Sequence, residues 1–385
     1  MGDVKKGIKV QIYPTEEQKV LFHKNFGCCR QTYNVVLDKF NKAYKQDNSI
    51  NPTETFLNKL LKECKSELPY LRDVESTCLQ QTIRDLRQAF KNFFKNPRHF
   101  RRPDFHKKKD KKWSFKQTIR ENFKFIEDNI IKFRKYGEIK FRTSKEYYNI
   151  LNNPDTKFNS MTVSFDGINY FATFNIDYHE EEWELTGESI GCDINSNLNG
   201  WLVTSNGEKE YFNITHENQV VKLINRLMAK CRKGSKKWKK LHKRLQKWYH
   251  KRTNQLEDYT NKLAHNLVKK YDTIVFEENY TTIKILIGGE QNMVFPLGRF
   301  VDKLKYKFAW HKPQAKGVVL VNAKNTSKKC HHCGTINHDL EVKTRNWKCP
   351  KCGKTLDRDV NAAINILNRW LYGDSLEKAK HPSGK

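Results

Sequence analysis

The residues of this chain best suited to chemistry are four cysteines and three carboxylates in its second half. Cys330-x2-Cys333 and Cys349-x2-Cys352 form a C-x2-C-x15-C-x2-C array. Each pair turns tightly enough to aim two thiolates at one ion. Four thiolates close a tetrahedral structural zinc site that has no open position for water. Gly334 and Gly353 directly follow Cys333 and Cys352 and fit paired knuckles rather than two redox dithiols. His331 and His332 are surplus to an ion already satisfied. The other six of the ten cysteines are scattered and read as small apolar filling.

The three carboxylates sit where strand ends and a helix start can bring them together. Asp193 follows Ile190-Gly191-Cys192 near the end of a strand, with Cys192 and Ile194 on the opposite face. Glu277 closes the apolar strand Thr273-Ile274-Val275-Phe276. Asp359 falls in the first turn of a final helix whose Ala362, Ala363 and Ile366 share its face, small enough for close approach to a sheet. Hard cations such as Mg²⁺ take oxygen ligands, and two of them about 3.5–4 Å apart activate a water and stabilise the leaving oxygen in phosphodiester hydrolysis. Taken singly, each residue has a plainer role: a turn cap, an exposed strand end, a complement to the helix dipole. Glu278 and Asp357 are rivals by adjacency, Asp357 being the more natural N-cap.

Stepping outward, Gly7–Tyr13 reads as a strand stopped by Pro14, and Thr15-Glu16-Glu17-Gln18 as a capping box opening a helix. Three or four helices fill residues 15–96, the last marked by Leu79, Ile83, Leu86 and Phe90. Residues 97–112 carry eight Lys/Arg against two Asp, a basic connector whose Arg101, Arg102, Lys107 and Lys108 are candidate phosphate contacts. From Trp113 to Tyr178 the period shifts to two, with turn signals at Glu127-Asp128-Asn129 and Asp166-Gly167, as in a small antiparallel β domain. Because a strand precedes the helices, the helical block reads as an insertion into that domain.

A second domain starts near Glu188 with strands Ser189–Ile194 and Gly200–Thr204 and an Asn206-Gly207 hairpin. Residues 216–271 read as helical, and between Lys230 and Arg252 12 of 23 residues are basic and none acidic. Leu227, Cys231, Trp238, Leu241, Leu245 and Trp248 recur at helical spacing, so one face docks on its own domain. The other offers Lys236, Lys237, Lys239 and Lys240 to a nucleic acid. A loop with Gly288-Gly289, a helix near Gly298–Trp310, a strand Gly317–Val321 and the cysteine cluster follow. The last dozen residues read as a disordered tail. The 73 Lys/Arg against 43 Asp/Glu leave a net charge of +30, which calls for a polyanionic partner. No apolar run approaches 18 residues, which excludes a spanning helix, and the first residues lack a secretory h-region, so a cytoplasmic protein is expected.

These motifs together resemble the transposon-associated TnpB proteins, RNA-guided nucleases related to type V CRISPR effectors, over nearly the whole chain. VQIYPTEEQ…FGCCRQTYN and LQQTIRDLRQAFKNFFK are similar to the family's opening strand and helices. GCDIN, TIVFEEN and DRDVNAAINIL are similar to its three RuvC motifs, and NTSKKCHHCG…WKCPKCG to its zinc ribbon. The resemblance implies a multidomain α+β fold. An oligonucleotide-binding-like (WED) β-barrel, 1–14 and 113–186, would be interrupted by a helical recognition (REC) lobe, 15–112. A RuvC domain of RNase H-like fold, 187–325 and 354–372, would hold a zinc ribbon, 326–353, before a tail, 373–385. It implies Asp193, Glu277 and Asp359 as catalytic Mg²⁺ ligands, a guide RNA from the protein's own element, and double-stranded DNA cut beside a short adjacent motif. Sequence would then be read by base pairing, which suits a diffuse positive charge. Two positions depart from the family pattern: Ser196-Asn197 after GCDIN and Glu278-Asn279 after Glu277; neither removes a carboxylate. Two other readings stay open: a guide-loaded repressor that does not cut and a guide-independent RuvC-type nuclease. So do a monomer or dimer on one RNA, and a transposon protein or a compact CRISPR effector.

Overall fold

The computed structural model describes residues 4–108, 113–118, 123–126, 129–179, 181–195, 199–213, 215–278, 297–341 and 344–373. The expected turn at Glu127-Asp128, the pair Ser196-Asn197, the Gly288-Gly289 loop and the tail from residue 374 lie outside them, as do Lys109–Lys112 of the connector. The chain divides into two compact units, Gly2–His179 and Glu180–Lys385.

In the first unit, strand β1 (Val4–Tyr13) leads through Pro14 into helix α1 (Glu16–Gln46). The expected capping box is formed: the Thr15 hydroxyl accepts from the Gln18 amide and the Gln18 side chain accepts from the Thr15 amide. Helices α2 (Glu54–Glu67) and α3 (Ser76–Lys95) pack on α1 through an apolar face that includes Phe40, Leu57, Ile83, Leu86 and Phe90. Residues 97–108 return along α1. Asn34 exchanges two hydrogen bonds with the His106 backbone, and the Tyr33 and His106 rings stack at 3.9 Å.

Strands β2 (Trp113–Thr118), β3 (Phe123–Ile126), β4 (Ile130–Phe133), β5 (Gly137–Arg142), β6 (Phe158–Phe165) and β7 (Tyr170–Tyr178) join β1 in one antiparallel sheet of order β2-β6-β7-β1-β5-β4-β3. The helical block is thus inserted between two strands of one sheet. The sheet curls, because Phe123 on one edge strand meets Phe158 and Phe174 near the other edge at 5.5 and 5.1 Å. A short helix α4 (Lys145–Asn152), capped by Ser144, interrupts the strands where the sequence reading had none.

The second unit is built on a five-stranded sheet of β8 (Ser189–Ile194), β9 (Asn199–Thr204), β10 (Lys209–Tyr211), β11 (Thr273–Glu277) and β12 (Gly317–Val321), in the order β10-β9-β8-β11-β12. The hairpins are antiparallel, whereas β8, β11 and β12 run parallel. Helix α5 (Thr215–Ala229) and helix α6 (Lys236–Lys270) replace the single expected helix. Residues 230–235 break it, with Gly234 at φ 84° and Ser235 capping α6. The expected continuous apolar stripe is therefore corrected. Leu241, Leu245 and Trp248 of α6 pack on Val221 and Ile224 of α5, whereas Cys231 lies in the turn and Leu227 is exposed. Helix α7 (Leu297–His311) precedes β12. The two-stranded ribbon β13 (Asn346–Lys348) and β14 (Thr355–Asp357) runs directly into helix α8 (Arg358–Tyr372).

Alternation along the strands sorts the two faces of this sheet. Ile190, Cys192, Ile194, Ile274 and Phe276 pack on Leu263, Leu267, Phe300 and Leu304 of α6 and α7. Val275 and Val321 pack on Ile366 of α8. Asp193 and Glu277, one residue out of phase with the first set, belong to the α8 face.

Candidate active site and metal centre

The four cysteines come together as their spacing requires. Among the described residues they are the one group of three or more Cys, His, Asp or Glu whose ligand atoms all lie within 4.8 Å of one another. Sγ of Cys330 and Cys352 are 3.8 Å apart, those of Cys333 and Cys349 3.5 Å. A tetrahedron with Zn–S of about 2.3 Å sets about 3.8 Å between sulfurs, so the set fits zinc. Two knuckles of the same geometry build it. Gly334 N–H donates to Cys330 O and Cys330 N–H to Thr335 O. Gly353 N–H likewise donates to Cys349 O and Cys349 N–H to Lys354 O, all four at 2.9 Å. Each turn needs a residue at positive φ, supplied by Gly334 at 80° and Gly353 at 71°. The Cys333 thiol is held below its ordinary range, chiefly by its hydrogen bond with Thr335, which favours the thiolate a metal needs. Leu340, Trp347 and Leu356 make the ribbon's small core. His331 does not turn to the thiols: its Nδ1 pairs with Asn361 Oδ1.

The ribbon's second strand delivers the third carboxylate. Asp357 at the end of β14 is the N-cap of α8, its Oδ1 accepting from the amides of Asp359 and Val360, and its other oxygen pairs with Lys209 at 2.6 Å. The rival is thereby assigned to capping, and Asp359 is left in the first turn facing the sheet. Helix α8 lies on β8 at Gly191, where an added Cβ would stand 2.2 Å from the Ala363 carbonyl oxygen. Two strand residues advance about 6.6 Å and four helical residues about 6 Å. With the two elements running in opposite senses, Asp359 therefore lies level with Asp193 as Ala363 lies level with Gly191.

Glu277 arrives from the neighbouring strand. The parallel register pairs Ile274 with Ile190 and Val275 with Gly191, and two further residues bring Glu277 level with Asp193. Burial, then the charges of Glu277 and Asp359, push the Asp193 carboxyl well above its ordinary range, against the opposing pull of Arg358 and Arg345. Burial also raises Glu277, opposed by a hydrogen bond from Thr326 and by Arg369. The Thr326 hydroxyl donates to Glu277 Oε1, and Arg345 Nη1 spans both oxygens of Asp359 at 3.0 and 3.1 Å. With Asp193 raised by burial and by two neighbouring carboxylates, the three form a site short of positive charge. Their hard oxygen donors suit divalent cations of the Mg²⁺ type. Sequence reasoning missed Thr326, Arg345, Asn361 and Asn365; only the polar residues interrupting the apolar face of VNAAIN hinted at the last two.

Of the basic candidates, Lys236, Lys237, Lys239 and Lys240 form an exposed patch on the first turns of α6. Arg101, Lys107 and Lys108 are exposed on the connector, while Arg102 bonds Asn41 of α1 at 3.0 Å and lies over the Tyr44 ring. No helix among the described residues is long and apolar enough to cross a membrane.

Three family models match the chain. The model described as "Cas12f1-like, TNB domain" covers residues 298–366, "Probable transposase" covers 173–282 and "Helix-turn-helix domain" covers 1–49. The first takes in the whole cysteine array and Asp359. A Streptomyces pristinaespiralis protein named "Putative RNA-guided DNA endonuclease" is 28% identical, over 100% of this chain and 94% of its own length. "TnpB-like protein L79" of Acanthamoeba polyphaga mimivirus is 24% identical over 94% of this chain and 73% of its own. By these matches the chain is similar to the TnpB proteins, related to the type V effectors. Its fold is similar to that of a solved Cas12f1 chain from an sgRNA–target DNA complex, with TM-score 0.57 and 16% identity, covering 94% of this chain and 98% of that one. The TnpB relationship also places the 1–49 match in context: in this chain it falls on β1 and a single long helix α1.

Proposed function

We propose that the protein is an RNA-guided DNA endonuclease that hydrolyses phosphodiester bonds with two Mg²⁺ ions held by Asp193, Glu277 and Asp359. The observation that carries this reading is the meeting of these three carboxylates at the ends of β8 and β11 and the start of α8, where Glu277 and Asp359 raise Asp193. Mg²⁺ bound there would activate the attacking water and stabilise the leaving oxygen. The chain's own residues place two carboxylates on rigid strands and one on a capped helix. Thr326 and Arg345 orient Glu277 and Asp359, and Lys209 keeps Asp357 on the cap. The cysteine quartet holds a structural zinc that fixes the ribbon leading into α8. Relatives named as RNA-guided DNA endonucleases support a guide RNA and double-stranded target DNA as partners. Lys236, Lys237, Lys239, Lys240, Arg101, Lys107 and Lys108 supply backbone contacts that a +30 chain offers to such partners.

In the layout that fits this reading, the curled sheet (1–14 and 113–186) is the WED barrel and residues 15–112 the recognition lobe. Residues 187–325 and 354–372 form the RuvC domain around the ribbon 326–353. The test is to sequence the RNA that co-purifies from the native locus and to offer the complex a DNA matching its guide end, with Mg²⁺. One abundant RNA with a constant scaffold and a variable end, and cleavage lost in Asp193→Ala, is the expected result. Bulk host RNA with cleavage of unmatched DNA would favour the guide-independent nuclease, and binding without cleavage the repressor.

A further inference from the structure

The zinc ribbon reaches two of the three carboxylates, one from each of its legs. Its first leg starts in a turn at Asn325, at φ 60°, whose carbonyl accepts from the amides of Lys328 and Lys329. Asn361 and Asn365, one turn apart on α8, then clamp residues 326–331. Asn365 Nδ2 donates to the carbonyls of Thr326 at 2.8 Å and Lys329 at 2.6 Å. Asn361 Nδ2 donates to Lys329 O, and Asn361 Oδ1 accepts from the His331 amide, both at 2.9 Å. Cys330 sits inside this strap, so an ion in the thiolate site fastens it at a further point. Apart from the His331 ring, the clamp uses backbone groups of the strap, which leaves the Thr326 side chain free for another task.

That side chain is 3% exposed and donates to Glu277 Oε1, with the Ala323 carbonyl as its alternative acceptor at 3.2 Å. One hydroxyl has one proton, and a carboxylate is the stronger acceptor. From the second leg, Arg345 forks Asp359 while its own carbonyl accepts from the Arg358 amide at 2.7 Å. We propose that Thr326 is a positioning residue for Glu277, and that the zinc ribbon sets the geometry of the carboxylate site through it. Deleting the hydroxyl frees the Glu277 carboxylate to rotate, and releasing the strap removes the hydroxyl. This rests on the carboxylates being a cation site.

The experiment titrates Mn²⁺ as a spectroscopic probe into the full-length, zinc-loaded protein and counts zinc in the same samples. Thr326→Val, nearly the same in volume, is expected to weaken Mn²⁺ binding by about tenfold or more with one zinc retained, the scale for losing an outer partner of a metal ligand. Thr326→Ser restores wild-type affinity. In Cys349→Ser, which releases the strap, adding Thr326→Val changes Mn²⁺ affinity little, since the two act through one contact. Wild-type Mn²⁺ affinity in Thr326→Val, or a full second loss in the double variant, overturns the proposal. Mn²⁺ bound as tightly by Asp193→Ala as by wild type overturns the cation-site reading itself.

Discussion

The thiolate quartet and the carboxylate trio stand at the two ends of one short hairpin, yet they are built on opposite principles. The thiols all lie within 4.8 Å of one another. The carboxylates stay farther apart, Asp359 turned to Arg345 and Glu277 to Thr326. Each thiol pair is held by its own C-x2-C-G knuckle, a matter of six consecutive residues. The carboxylates come from three segments separated by some eighty residues each and repel one another. Local backbone geometry prebuilds a closed structural site. The carboxylate trio depends on tertiary packing and keeps a deficit of positive charge.

Breaking the closed site should have the largest effect. Cys349→Ser is expected to lose zinc and unfold the ribbon, whose apolar core is only a handful of residues. Structural zinc contributes on the order of 10 kcal/mol to such small folds. Metal analysis and hydrogen exchange over 326–357 would show both losses together; zinc at one equivalent would contradict the four-thiolate site.

A second test sets a satisfied buried carboxylate against an unsatisfied one. Asp272 accepts from Lys312 at 2.7 Å and from the Gly187 amide at 2.6 Å. Burial alone would raise its carboxyl, but Lys312 and the two backbone amides outweigh burial and hold it below the ordinary range. Its contribution is therefore complete above the unfolded value of 3.8 and is lost as pH falls through the lower folded value. Asp272→Asn leaves Lys312 buried and unpaired, and a loss of about 3–5 kcal/mol at neutral pH is expected in denaturant unfolding.

Gly191→Ala probes the contact that aligns the trio. With Ala363 O 2.2 Å from the new Cβ, α8 must lift from β8. The expected cost is about 1–3 kcal/mol, with a fall in cleavage larger than the stability change implies, because Asp359 moves with the helix. Unchanged cleavage would mean that α8 does not set Asp359.

The smallest effect has the opposite sign. Asp193 is raised in the folded state, so its penalty is absent below 3.8 and grows as pH rises through the raised value. Asp193→Asn should abolish cleavage and yet raise the melting temperature of the metal-free protein by a few degrees at neutral pH, the gap closing below about pH 4. A destabilised variant would show that the trio is not short of charge.

Much of this was legible in the chain itself. The thiolate site followed from spacing, the capping box from Thr15 and Gln18, the faces of β8 and β11 from period-two alternation, and the cap of α8 from Asp357. Each is a pattern local in the chain, the thiolate array being the longest, from Cys330 to Cys352. The break at 230–235 was missed because basic residues with good helix propensity masked the Gly234-Ser235 stop signal. The short helix α4 was missed inside a segment otherwise of strand period. The roles of Thr326, Arg345, Asn361 and Asn365 could not be read at all, since a hydroxyl, a guanidinium and two amides have no preferred partner until folding chooses one. The sequence by itself determined which side chains could hold metal and which elements would carry them. Only the tertiary structure decided that α8 touches β8 at Gly191, which levels three distant carboxylates, and that the ribbon's two legs end on two of them. Those are contacts between segments remote along the chain, fixed by packing and by the hydrogen bonds left over when packing is complete.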